Sequence, residues 1–186
     1  MDTLTRRRLV LLAPLAVAAG AGGAATALLL RMQEGSYDPH ALPSMLVGKR
    51  LPAFSLPGQP PSAGFSAADV TAQGQPALVN FFASWCLPCA QEAPSLAALQ
   101  RDGVRVWGIA YKDAPEATTR FLDRYGNPYV RVGRDPAGTT GIDFGLYGVP
   151  ESFLVDATGV VRWRWTGGLS ADSVRQDLLP RLRALS

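Results

Sequence analysis

The chain is poor in the residue types from which most catalytic and metal sites are built. It has one histidine, His40, and two cysteines among 186 residues. A single imidazole outside the main apolar pattern leaves the domain without a Ser-His-Asp triad or a histidine base. Two thiols with one remote imidazole make at most half a zinc site. No glycine-rich loop follows a strand in the form that cradles phosphates, so nucleotide chemistry has no support. Lysine is scarce too: of 18 basic residues only Lys49 and Lys112 are lysine. Charged residues make up 18% of the chain, against about 25% in an average globular protein, which points to one unusually apolar segment. With 47% hydrophobic residues the chain is not disordered, and with two cysteines it is not a disulfide-dense scaffold. The net charge of +3 is carried by residues 1–31, where four arginines face Asp2. The remainder is neutral and leaves no footprint for nucleic acid.

The apolar segment is LVLLAPLAVAAGAGGAATALLL, 22 uncharged residues from Leu9 to Leu30. As a helix it would span about 33 Å, close to the hydrocarbon thickness of a bilayer. Arg6, Arg7 and Arg8 precede it and only Arg31 stands close behind it, so the positive-inside rule keeps residues 1–8 in the cytoplasm and exports the C-terminal domain. A cleaved signal is the competing reading, given Ala25-Thr26-Ala27 and the Thr5–Val10 stretch, which is close to a twin-arginine signal. The length of the run favours an anchor. A buried core helix is disfavoured because the run has no polar face. The expectation is a single-pass inner-membrane protein with residues 9–30 in the membrane, 31–50 as a tether, and a domain at 51–186 on the periplasmic side.

Within that domain, residues 51–76 signal at most a short N-terminal hairpin around Ala53–Leu56. The pattern sharpens at Ala77–Ala83, a nearly continuous apolar run suited to a strand buried on both faces. Cys86–Arg101 reads as a helix with Pro94 set to bend it, and Val104–Ala110 as a second strand. Pro115–Tyr125 is a helix that begins with proline and stops at Gly126. A short strand at Tyr129–Val132 and a short helix at Thr139–Phe144 come next. Ser152–Asp156 and Val160–Trp165 form a hairpin around Ala157-Thr158-Gly159, the second strand having one solvated, basic face. Ser170 caps a last helix through about Leu185, with Val174, Leu178, Leu182 and Leu185 on one side. The order predicts an α/β domain, a central mixed sheet flanked by helices on both faces, with an N-terminal extension and a central αβ insertion.

Both cysteines lie in Trp85-Cys86-Leu87-Pro88-Cys89, between a buried strand and a helix. Thiols at i and i+3 on a first helical turn are close enough to bridge. The free N–H groups and dipole of the helix N-terminus favour a thiolate at Cys86, which makes it the nucleophile. Cys89, a turn deeper, would resolve a mixed disulfide. Pro88 loses no helical hydrogen bond there, and with Leu87 it restrains the loop between the sulfurs. A structural bridge or an inert pair are the alternatives. A bridge closing so small a loop constrains the unfolded chain little, and the strand-to-helix context favours redox chemistry.

The longer segment Asn80–Cys89 with Glu92 and Pro94, together with Gly108-Ile109-Ala110-Tyr111-Lys112-Asp113, Gly126-Asn127-Pro128-Tyr129 and Gly145-Leu146-Tyr147-Gly148-Val149-Pro150-Glu151, extends the signal. These residues resemble the thioredoxin fold and, more narrowly, the membrane-anchored thiol:disulfide interchange proteins of cytochrome c maturation, the CcmG or DsbE family, TlpA- and ResA-like in the wider superfamily. The resemblance implies a redox disulfide between Cys86 and Cys89, and a cis Pro150 facing it, with the Val149 backbone free to pair with an extended substrate. Glu92 and Glu151 match acidic positions of that family's active site and would tune the thiols or pass protons, or else be ordinary surface carboxylates. Tyr147 would line the substrate groove or simply pack. Trp85 would cover the sulfurs and meet partners, or sit in the core. Arg162–Trp165 offers a partner contact or a solvated strand face.

As to activity, the resemblance implies a dithiol reductant of apocytochrome c cysteines, re-reduced by a transmembrane thiol relay of the DsbD or CcdA type. No cofactor or metal is implied, and a monomer is expected. A general periplasmic reductase of other exported proteins, TlpA-like, is the first alternative, and a non-redox binding or chaperone module the second.

Overall fold

The apolar run that starts at Ala77 becomes the central strand of a five-stranded sheet in the computed structural model, which describes residues 17, 19–27, 30 and 44–185. The chain divides into two compact units, Met1–Ala41 and Leu42–Ser186. In the first, residues 19–27 are helical and exposed. Among the described residues no helix is long and apolar enough to cross a membrane. Residues 1–8, residues 9–16, 18, 28 and 29 of the expected anchor, and residues 31–43 of the expected tether lie outside the described residues.

In the second unit the chain runs through β1 (Ser55–Leu56), β2 (Phe65–Ser66), α1 (Ala67–Thr71), β3 (Ala77–Phe82), α2 (Leu87–Arg101), β4 (Arg105–Tyr111) and α3 (Pro115–Tyr125). It continues with β5 (Val132–Asp135), α4 (Thr139–Asp143), β6 (Glu151–Val155), β7 (Val161–Thr166) and a C-terminal helix α5, made of Ala171–Ser173, Val174–Leu178 and Leu179–Arg183. The sheet order is β5-β4-β3-β6-β7, with β3, β4 and β5 parallel and β6 and β7 antiparallel to their neighbours. Parallel neighbours need a crossover, which α2 and α3 supply. The mixed sheet is therefore the one the pattern predicts.

Every residue of β3 is buried, and the two-residue period of a strand divides its side chains between two cores. Leu78 and Phe82 pack with Leu96 and Leu99 of α2, Phe121 and Leu122 of α3, and Val174 and Leu178 of α5. Ala77, Val79 and Phe81 pack on the other side with Leu56, Phe65, Val70, Phe144 and Phe153. Long helices cover only the first face. The β1–β2 hairpin and the short helices α1 and α4 cover the second, so helices flank both faces as expected, but unequally.

Other departures have local causes. Residues 44–50, read as the end of a tether, join the domain: Leu46 is buried, and the Gly48 amide donates to Val161 while the Val161 amide donates to Lys49. The strand expected at 129–132 begins at Val132, because the chain bonds to β4 through Val130 and Arg131 but is still bent there. In α5 the turn Val174–Leu178 widens to a π-helix just ahead of Pro180, which has no N–H for the regular bonding pattern. The β7 face expected to be solvated is only half so: Arg162 is exposed and pairs with Asp156, whereas Arg164 is buried.

Gly108 of β4 shows why a side chain is missing at one central position. A Cβ there would lie 2.7 Å from the Tyr129 ring, which sits over the strand and stacks on Phe82 at 4.8 Å. Gly108→Ala should therefore force the ring out of place and cost about 1–3 kcal/mol of stability, as overpacking does, read from urea unfolding midpoints at constant slope.

Candidate functional site

The buried strand β3 ends where α2 begins, and the dithiol sits at the joint. Cys86 is the N-cap of α2: its backbone is extended, and its sulfur accepts the Cys89 amide at 3.2 Å. Pro88 occupies the first helical turn, where a missing N–H is no loss. The two cysteines form a disulfide with Cα atoms 5.3 Å apart. Cys86 is 5% and Cys89 2% exposed, so the expected contrast between an open and a buried sulfur is small in this disulfide form. Exposed apolar side chains flank them: Trp85 at 62% and Leu87 at 69%. The core reading of Trp85 is thus overturned. Its indole N–H reaches back to the Lys112 carbonyl at 3.4 Å.

The loop that carries Trp85 is pinned by Asp113. One carboxylate oxygen accepts the Ser84 amide at 2.6 Å and the Thr118 hydroxyl at 3.0 Å. The other accepts the Ser84 hydroxyl at 2.7 Å and the Ala114 amide at 2.9 Å. A single side chain thereby joins the approach to the dithiol to the first turn of α3. Lys112 beside it holds a positive φ of 46°, a conformation rare outside glycine.

Glu92 is no surface carboxylate. It lies on the buried side of α2, accepting the Asn80 side-chain amide at 3.0 Å and the Leu169 backbone amide at 2.9 Å. Asn80 comes from the middle of β3 and also donates to Ser152 of β6 at 3.1 Å, while its carbonyl oxygen accepts the Tyr129 hydroxyl at 2.8 Å. Burial pushes Glu92 up from an ordinary 4.5 to about 7, against the pull of its Leu169 and Asn80 donors. The loop between β7 and α5 leans on this helix, since a Cβ at Gly168 would stand 3.3 Å from the Pro88 carbonyl.

The sequence groups Glu151 with Glu92, but the structure separates them. Glu151 pairs with Phe81 across the sheet and so faces the second core, on the side opposite Asn80. There it is buried in an ion pair with Arg164 and accepts the Tyr147 amide at 3.2 Å. Burial raises its pKa, an effect that Arg164 and the Tyr147 amide only partly offset. Arg164 in turn lies over the Tyr147 ring at 4.3 Å, and Tyr147 remains 65% exposed. The Val149–Pro150 peptide is cis, Pro150 is buried, and Val149 packs against the core cluster that holds both cysteines.

Among the sequence-predicted residues, then, Trp85 to Cys89 and Glu92 share one helix start, and Val149 borders their core. Among the described residues Glu151 pairs with Arg164 and accepts the Tyr147 amide. Sequence reading passes over Asn80, Ser84, Asp113, Tyr129 and Arg164 as site residues. One visible signal for Asn80 is a lone polar residue inside an apolar strand.

Residues 46–178 match the Redoxin family model. The chain is 41% identical to the thiol:disulfide interchange protein HelX of Rhodobacter capsulatus over 91% of its own length and 93% of that protein. It is 38% identical to the thiol:disulfide interchange protein DsbE of Escherichia coli K12, with 94% of each chain covered. A crystal structure described as DsbE from Chlorobium tepidum superposes with a TM-score of 0.62 at 30% identity, covering 76% of this chain and 99% of that one. The α/β fold is thus thioredoxin-like.

The burial of Glu92 makes stability depend on pH. Native Glu92 keeps its proton up to about pH 7, whereas in the unfolded chain it loses it near 4.5. The native state therefore binds more protons in that window, and stability falls as pH rises through it. Relative to Glu92→Gln, the protein should lose about 3 kcal/mol between those limits, measured by urea unfolding at a series of pH values. Asp113→Ala should cost about 1–3 kcal/mol, since it leaves the buried Thr118 hydroxyl and the part-buried Ser84 donors without their acceptor, and should slow thiol exchange in a stopped-flow assay of the folded variant.

Proposed function

As a member of the Redoxin family, and within it of the DsbE thiol:disulfide interchange proteins, this chain is a thiol:disulfide oxidoreductase, and we propose that it reduces the cysteine pair of apocytochrome c during cytochrome c maturation. The observation that carries the reading is the dithiol at the N-terminus of α2, flanked in sequence by exposed Trp85 and Leu87. Those side chains give a partner polypeptide an apolar rim to rest on, and the Val149 backbone gives it an edge for strand pairing.

In the reduced protein the Cys86 thiolate attacks one sulfur of the substrate disulfide. A Cys86–substrate bond forms, and the other substrate sulfur leaves as a thiolate that takes a proton from solvent. The Cys89 thiol then gives its proton to Glu92, one turn further along the buried side of α2, and attacks the Cys86 sulfur. The second substrate sulfur leaves as a thiolate and takes a proton from solvent, so the substrate is a dithiol and the protein holds the Cys86–Cys89 disulfide. Two electrons have moved to the substrate. Donation of the Cys89 amide to the Cys86 sulfur supports the assignment of Cys86 as nucleophile. Glu151 works at one remove, holding Arg164 over the Tyr147 ring.

Electrons must then be restored, and a transmembrane thiol reductant of the DsbD or CcdA type fits that need. The uncharged run 9–30 behind Arg6–Arg8 supports an inner-membrane anchor with the domain on the periplasmic side, and a monomer is the form we propose for it.

Cys89→Ser leaves Cys86 to attack while removing the resolving thiol. Expressed in cells that make c-type cytochromes, it should accumulate a mixed disulfide with apocytochrome c through its haem-site cysteines, identified by mass spectrometry after non-reducing separation. Capture of diverse exported proteins lacking that motif would make it a general reductase, and no capture at all would remove the redox reading.

A further inference from the structure

The chain of hydrogen bonds behind Glu92 is longer than a carboxylate needs. Asn80 has no exposed surface, and all three of its side-chain bonds run to buried partners: Glu92, Ser152 and Tyr129. A side-chain amide can sit two ways, related by a half turn. In the observed orientation its N–H groups meet Glu92 and Ser152, and its oxygen accepts from Tyr129. In the turned one its oxygen faces Glu92 and its N–H groups face the Tyr129 hydroxyl. Serine adapts, because a hydroxyl both donates and accepts. Glu92 does not: ionised it can only accept, so the turned amide suits only the protonated acid.

Tyr129 breaks the tie. Donation to Asn80 is the one hydrogen bond its hydroxyl makes among the described residues. Turning the amide would leave the phenolic proton buried without an acceptor, a cost of about 1–3 kcal/mol. Its ring cannot swing to another partner, being wedged between Phe82 and the bare backbone of Gly108. Burial, reinforced by the charge of Glu92, holds the phenol well above its ordinary pKa, so it stays a donor through the working range.

We infer that Tyr129 is a positioning residue for the active site, whose hydroxyl locks the Asn80 amide so that Glu92 always meets an N–H donor. The lock opposes the burial of Glu92 and keeps the carboxylate able to accept a proton. This rests on the proposed role of Glu92 as acceptor for Cys89, and it extends the site across the sheet to a residue 49 positions from Asn80.

Among the described residues, the groups facing Glu92 from each neighbouring element are few. Its own helix brings Cys89, a turn back. From β3 comes Asn80, from β6 Ser152, from the β7–α5 loop the Leu169 amide, and from the segment before β5 Tyr129. The ion pair of Glu151 and Arg164 lies on the other face of the sheet.

The test is a pH titration of the Glu92 carboxyl carbon by NMR in the full-length oxidised protein, the signal assigned by its loss in Glu92→Gln. Tyr129→Phe should raise the midpoint by about one pH unit, tenfold in proton affinity. Ser152→Ala, which removes a buried hydrogen bond without turning the amide, should leave it in place. An unchanged midpoint in Tyr129→Phe, or an equal rise in Ser152→Ala, overturns the proposal. Should Tyr129→Phe not fold, Asn80→Ala carries the same test: a raised midpoint supports a donor lock and an unmoved one rejects it. The rate at which Glu92→Gln resolves a mixed disulfide reads the acceptor role separately, so either idea can fail alone.

Discussion

A strand buried on both faces that stops at the start of a helix is the constraint on which this domain depends. β3 can be buried so completely only if β4 and β6 satisfy its backbone and two separate cores receive its side chains. Once that holds, the chain leaves the sheet at a fixed point and α2 presents its free amides there. The dithiol inherits its position from the best-buried part of the molecule.

The same constraint explains where polar groups are tolerated inside. Asn80 faces the α2 side of β3, and leaving its amide unsatisfied would offset much of the gain from burying its neighbours. Glu92, Ser152 and Tyr129 satisfy it, so a necessity of packing also wires the active-site helix to the sheet. On the opposite face the pair Glu151–Arg164 plays a comparable part, connecting the sheet to Tyr147 at the surface. Asp113 does so at the loop, with four hydrogen bonds converging on one carboxylate.

What could be read in the sequence was what is local. The apolar run of β3, the capped starts of α2 and α5, and two cysteines three apart are short-range signals, each with its own periodicity or spacing. The family motifs carried the cis Pro150 and the importance of Glu92. Partners separated by long stretches of chain were invisible: Ser84 meets Asp113 across 29 residues and Asn80 meets Tyr129 across 49. Arg164 looked solvated because alternation with Trp163 and Trp165 suggests one wet face, and nothing nearby announces that Glu151 lies opposite to receive it. Residues 44–50 looked like tether for a similar reason, since only β7 reveals what their backbone pairs with.

The small exposure of both sulfurs beside a broad apolar rim has a kinetic meaning. Thiol exchange requires a nearly linear approach of three sulfur atoms, and a recessed disulfide offers few such trajectories to a freely tumbling small thiol. A polypeptide that seats on Trp85 and Leu87 is held in place for many attempts. The surface thus acts as a filter in time, slowing reduction of this disulfide by small thiols while leaving it open to partners that dwell.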